Sequence, residues 1–287
     1  MGNQSPALER LFDEWTKKHE EKISQEAPYL MPHEPPFGGF VRDGIVNLDV
    51  WKKQKLRICF LMNEASGYTD REKFPNGTDV AAEWNEKGAF TKFMFKVAVW
   101  TKAVHDAFAA PTTYSKKEII VKRETDGRSM ADDLIRSIAI VNLKKSDGQK
   151  KTDLEHVKRF ATNDAEEIRR ELDLIKANVI ICCGNFSALC GQKPAKETRR
   201  RKSVFFNEEL ERVSKFAFAL DKRLVLTLWT PAQFVGTMSS NTIAYYAVRE
   251  ICRAAFKVFG KKPATPPAAA APAPAQAPAA APAEPAK

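Results

Sequence analysis

Four stretches of the chain carry apolar residues almost without interruption: KLRICFLMN (55–63), SIAIVNLKK (137–145), NVIICCGN (178–185) and RLVLTLWTP (223–231). A strand with one wet face alternates apolar and polar residues, whereas a strand covered on both faces reads as a continuous apolar run. These four are therefore expected to be neighbouring strands of a mainly parallel sheet with helices on each side. Between them the period changes to that of a helix. Residues 89–109 place Phe90, Phe93, Val97, Trp100, Val104 and Phe108 on one stripe, and residues 129–136 give a shorter helix. Thr152 to Glu155 (TDLE) has the form of a capping box opening another helix, and Ile168, Leu172 and Ile175 continue the pattern. A last helix, NTIAYYAVREICRAAFKVFG, stops at Gly260, a residue suited to ending helices. Near the N-terminus Ser5 can cap a helix whose first turn accepts Pro6 and whose buried stripe is Leu8, Leu11, Phe12 and Trp15.

This alternation predicts an α/β fold, a three-layer sandwich with a central, mainly parallel four-stranded sheet and helices on both faces. Three regions follow. Residues 1–50 form a helix and a Pro/Gly-rich loop packing on the core, residues 51–260 the α/β domain, and residues 261–287 a Pro/Ala-rich tail expected to be extended and disordered.

Composition narrows the setting. The chain has 287 residues, 44% of them hydrophobic, and no stretch near the roughly 20 apolar residues of a membrane span. Its N-terminus lacks an apolar signal region, and its five cysteines (Cys59, Cys182, Cys183, Cys190, Cys252) include no C-x-x-C pair. A cytoplasmic, monomeric protein with buried reduced thiols is the expectation. A formal net charge of +10 favours an anionic partner, nucleic acid first.

Open parallel sheets bind ligands beyond the carboxyl ends of their strands. The endings here are all polar or turn-forming: NEASG, NLKKSDG, GN followed by FSALC, and WTPAQF. No dinucleotide-binding, P-loop or serine-hydrolase elbow motif is present. In MNEASG, Asn63 and Glu64 stand at a strand exit, where a carboxylate can orient water or stabilise a developing cation. Asn142 can donate and accept together, as reading a base edge requires. Lys144, Lys145 and the Arg199, Arg200, Arg201 run can neutralise phosphates. His33, in the Pro/Gly-rich loop, is a further candidate for a site. Each of these also has a plain reading as a turn or a solvated surface.

Taken in order, the strand endings resemble those of the uracil-DNA glycosylase superfamily. NEASG is similar to the family's first motif, of the form G-E-A-P-G, with Glu64 and Ala65 matching best. Asn142 matches the asparagine that reads the flipped base, and CCGN fits the third strand and turn. The last motif normally reads H-P-S; here Pro231 is kept but Thr230 stands in the histidine position. The resemblance covers about residues 55–255. It implies a DNA glycosylase hydrolysing the N-glycosidic bond of a flipped uracil or modified base, with DNA, single- or double-stranded, as partner and no cofactor. Glu64, Asn63 and Thr230 would be catalytic. Asn142, Tyr68, Phe74 and Gln233 would hold the base, with Phe186 a further aromatic candidate. Lys144, Lys145, Ser187 and Arg199 to Arg201 would hold phosphates. The altered last motif suggests a base other than plain uracil, such as a modified base of viral DNA, and thus a role in antiviral defence as well as base-excision DNA repair. Rival expectations are a catalytically inactive nucleic-acid-binding protein with the same fold, and a hydrolase or transferase acting on free nucleosides.

Overall fold

The computed structural model describes residues 4–25, 40–66, 78–109, 125–148, 152–191, 203–231 and 238–260. The four apolar runs become β3 (Ile58–Ser66), β5 (Ala139–Gly148), β6 (Val179–Cys183) and β11 (Arg223–Leu228). They lie side by side in the order β5-β3-β6-β11, and each adjacent pair is parallel. The sheet is larger than the four strands expected. It has seven, being extended at one edge by β2 (Gly44–Ile45) and at the other by β10 (Ala217–Leu220) and β9 (Leu210–Ser214), all antiparallel to their neighbours. The added strands are short or half-exposed, so they lack the continuous apolar signature of strands covered on both faces.

Strict alternation along the central strands divides the interior into two cores. Ile58, Phe60 and Met62 of β3, with Ile140 of β5 and Ile181 of β6, face α4 (Lys92–Ala109), α5 (Thr125–Arg136) and α9 (Met238–Phe259). Cys59 and Leu61, with Val141, Leu143 and Ile180, face α1 (Pro6–Gln25), α6 (Leu154–Asn163) and α7 (Ala165–Ile175). The layers are thus helix, sheet, helix. The shorter α2 (Leu48–Lys53) and α3 (Val80–Lys87) precede β3 and α4 respectively, and two short parallel pairs, β1 (Val41–Arg42) with β4 (Thr78–Asp79) and β7 (Cys190–Gly191) with β8 (Phe205–Phe206), lie outside the main sheet. Among the described residues no helix is long and apolar enough to cross a membrane.

Local chemistry sets several boundaries. The Leu8 N–H bonds Ser5, so Ser5 does cap α1, and Leu8, Leu11, Phe12 and Trp15 are all buried. Helix α6 begins one residue later than the TDLE pattern implies. Asp153 is the cap, its carboxylate accepting from the Glu155 and His156 N–H groups. Phe90 precedes α4 and is 42% exposed, so it leaves the expected stripe.

The β2 edge of the sheet is closed by a side chain. The Gln4 amide donates to the Ile45 carbonyl at 2.8 Å and accepts from the Ile45 N–H at 2.9 Å, continuing the ladder without another strand. Close approach needs glycine next door: Gly44 has φ +103°, and a Cβ there would come within 2.9 Å of Leu8. Farther along, α1 is tied to the α6–α7 junction by His19 Nε2, 2.9 Å from Asp164 Oδ2, and by Lys18 pairing with Glu167.

The β3–β5 pairing changes register near its end. Met62 faces Asn142 and Glu64 faces Lys144, but Ala65 faces Asp147, leaving Lys145 and Ser146 as extra residues on β5.

Candidate functional site

The carboxyl ends of β5, β3, β6 and β11 form one continuous rim. Glu64 leaves β3 with its side chain only 4% exposed. Its Oε2 lies 3.4 Å from Lys144 Nζ on the next strand. Its Oε1 is buried and has no hydrogen-bond partner among the described residues.

Asn63, beside it, is half-buried and points to the other face of the strand. It meets a residue that the sequence reading did not single out. Asn185, the first residue after Gly184, donates from Nδ2 to the Leu61 carbonyl at 3.0 Å and to Asn63 Oδ1 at 3.1 Å. The carbonyl contact fixes which way the Asn185 amide points. Its Oδ1 is then a second buried acceptor without a partner among the described residues. The signal available in the sequence was the GN at the end of the third apolar run.

The β6 and β11 endings touch through backbone. Gly184 has φ +75°, a conformation that favours glycine, and its N–H bonds the Leu228 carbonyl at 2.8 Å. A Cβ on Gly184 would stand 3.4 Å from the Thr230 N. Thr230 is therefore on the rim, next to the Asn63–Asn185 pair and two strands from Glu64, about 10 Å away at ordinary strand spacing.

The three β5 candidates are drawn inward. Asn142 is 4% exposed; its backbone N–H and its Nδ2 both donate to Asp43 Oδ2, at 2.6 and 3.0 Å. One amide hydrogen is thus already committed. Lys144 is buried between Glu64 and the face of Phe160, 5.6 Å from the ring centroid, and is not presented to solvent as a phosphate contact would be. Lys145 departs furthest from expectation. It is fully buried, bonded to Asp43, 2.7 Å from Glu171 Oε2, and flanked by Trp15 and Phe12 at 5.1 and 5.6 Å. No phosphate can reach it there. Burial opposes its charge, but Asp43 and Glu171 together push the ammonium's pKa above its usual value. Glu171 is itself raised well above the usual carboxylate range by burial and by the Asp43 charge.

Ser187 is exposed on the single turn α8 (Phe186–Leu189), beyond β6. Phe186 stacks on Phe218 with ring centroids 4.8 Å apart and is part of the packing there. Tyr68, Phe74, Gln233, His33 and Arg199 to Arg201 lie outside the described residues. Among the described residues no group of three or more His, Cys, Asp or Glu side chains converges as a metal site. Glu64, Lys144, Asn63, Asn185 and Thr230 are therefore what the fold brings to the rim: a carboxylate beside an ammonium, two amides in contact, and a hydroxyl. A scan against protein-family models finds no match for this chain, and a search of curated proteins finds no significant one.

Proposed function

We propose that the protein is a DNA glycosylase that hydrolyses the N-glycosidic bond of a base flipped into the rim formed by β5, β3, β6 and β11. The observation that carries this reading is Glu64: a nearly buried carboxylate at the mouth of a central parallel strand, with Lys144 on one oxygen and the other oxygen unpartnered among the described residues. Cleavage of such a bond builds positive charge on the sugar and negative charge on the departing base. A fixed carboxylate stabilises the first or orients the attacking water, and it acts more strongly in a site shielded from solvent. Lys144 holds Oε2, leaving Oε1 for the sugar or the water. Thr230 and the amide of Asn63, which Asn185 orients through its oxygen, supply hydrogen bonds on the base side. A hydroxyl cannot carry the positive charge of an imidazolium, so the departing base is one that leaves with less electrostatic help than uracil receives in the family. A modified base of viral DNA meets that description and gives the reading a role in defence.

The test is abasic-site formation on oligonucleotides carrying uracil, hypoxanthine or modified pyrimidines, in single and double strands. Wild-type protein should release at least one of these bases, and Glu64→Gln should slow release by about 10²–10⁴-fold. Intact bases throughout, with DNA still bound, would replace this reading with that of an inactive nucleic-acid-binding protein. Cleavage of free nucleosides without DNA binding would replace both.

A further inference from the structure

Strands β9 and β10 are joined by a two-residue turn, Lys215 and Phe216. Because β10 runs against β11, its first residues lie beside the last residues of β11. Ala217 is opposite Leu226, and the Phe216 carbonyl accepts from the Thr227 N–H at 2.9 Å. Strand β11 ends at Leu228, two residues before Thr230. The turn therefore stands at the carboxyl end of the sheet, at the level of the rim and on the side of β11 away from Glu64. A second contact ties it to the mouth. Phe218 of β10 stacks on Phe186 at 4.8 Å, and Phe186 directly follows Asn185.

The turn presents an aromatic ring beside exposed cations. Phe216 is 37% exposed, and Lys215 Nζ lies 5.3 Å from its ring centroid. Arg212 pairs with Phe218 across the hairpin, its guanidinium 5.3 Å from that ring. Both cations are exposed, and neither side chain forms an ion pair among the described residues. Charge is sorted along the hairpin. Glu208, Glu209 and Glu211 lie toward its other end, where Leu210 faces Leu220 and Glu209 is 3.3 Å from Arg169. From Arg212 to Phe218, the part that reaches the rim, the sequence RVSKFAF holds no acid.

We propose that the β9–β10 turn is a contact for a nucleic-acid strand leaving the mouth. Phe216 stacks on an unpaired base, and Lys215 and Arg212 hold the phosphates beside it. Single-stranded nucleic acid is bound by this pairing of aromatic faces with a basic track. The spacing is compatible. From β3 to β10 is three strand spacings, about 14 Å, or roughly four nucleotides at the 3.4 Å rise of a stacked strand. A symmetric contact between two copies of the chain would instead bring four cations together, which opposes it. The path of the strand from Glu64 to the turn rests on the function proposed above, but binding at the turn is measured without catalysis.

The experiment compares wild type with Phe216→Ala, Phe216→Trp and the double variant Arg212→Gln/Lys215→Gln. Binding of a fluorescent mixed-sequence single strand is followed by anisotropy across a salt series, and base release is assayed alongside. Phe216→Ala should weaken binding roughly 5- to 100-fold with the salt slope unchanged, and Phe216→Trp should bind at least as well as wild type. The double variant should lower the slope of log affinity against log salt by about 1.4 and melt with wild type, since both side chains are exposed. If wild type binds the strand and Phe216→Ala and the double variant keep its affinity and slope, the turn is refuted while the nucleic-acid reading stands. If wild type releases no base but the variants weaken binding as stated, the contact stands and the glycosylase reading falls. Equal loss in Phe216→Trp and Phe216→Ala would overturn the stacking role. A wild type that binds no strand, or a dimer that Phe216→Ala converts to monomer, would overturn the proposal.

Discussion

Replacing Lys145 with methionine tests the buried cluster behind the rim. Methionine keeps most of the apolar stem that packs against Trp15 and Phe12, so the change chiefly removes charge. It leaves Asp43 and Glu171, both with fully buried side chains, without the ammonium between them. At an effective dielectric of about 20, unit charges at the Lys145–Glu171 separation attract by roughly 6 kcal/mol before the desolvation of the ammonium is subtracted. Breaking one side of a buried ion cluster costs about 3–5 kcal/mol, which for a domain of this size lowers the melting temperature by roughly 10 °C. The cost should depend on pH. Without Lys145 the folded Glu171, already raised above its usual range, holds a proton that the unfolded chain releases, so the loss at pH 8 should exceed that at pH 5. Urea unfolding followed by tryptophan fluorescence at both pH values measures it. Under conditions where both proteins are folded, the salt dependence of DNA binding should be the same for the variant and wild type. A loss under about 1 kcal/mol, or a larger loss at pH 5 than at pH 8, would refute the account of this cluster.

Two other substitutions probe neighbouring features. Glu171→Gln imitates the protonated acid: as pH rises from the usual carboxylate range toward the raised Glu171 pKa, wild type should lose stability and the variant should lose less, so parallel urea midpoints between pH 5 and pH 8 would contradict the raised value. Gln4→Ala leaves the Ile45 N–H and carbonyl without their side-chain partners and should cost about 2–3 kcal/mol; it should also promote self-association by size-exclusion chromatography, because the β2 edge is opened.

The sheet was legible where burial on both faces forces a simple pattern. Runs 55–63 and 137–145 locate β3 and β5, but the observed strands continue to Ser66 and Gly148. The extra residues are polar or small, pair only at the rim, and carry no run of large apolar side chains. Strands β2, β9 and β10 escaped for a related reason, being short pieces at or next to the sheet's edges with little doubly covered surface. The adjacent lysines show a different limit. The register change begins between Lys144 and Lys145, and one meets Glu64 while the other is enclosed by Asp43 and Glu171. What makes Lys145 stable there is Asp43, 102 residues away, and no local pattern announces that pairing. Asn185 is similar: its place was visible as a strand exit, but its meaning comes from Asn63, 122 residues earlier.

The two extra residues on β5 separate the sheet into parts that answer to different demands. Up to Met62 and Leu143 the apolar side chains alternate between two cores, so a one-residue slip would turn an entire strand inside out. Past them the phase is reset, with Ala65 opposite Asp147 and Ser66 opposite Gly148. Changes in composition or length beyond this point need not propagate into the packing beneath. The mouth can therefore be rewritten for a new ligand while the scaffold that holds Glu64 stays as it is.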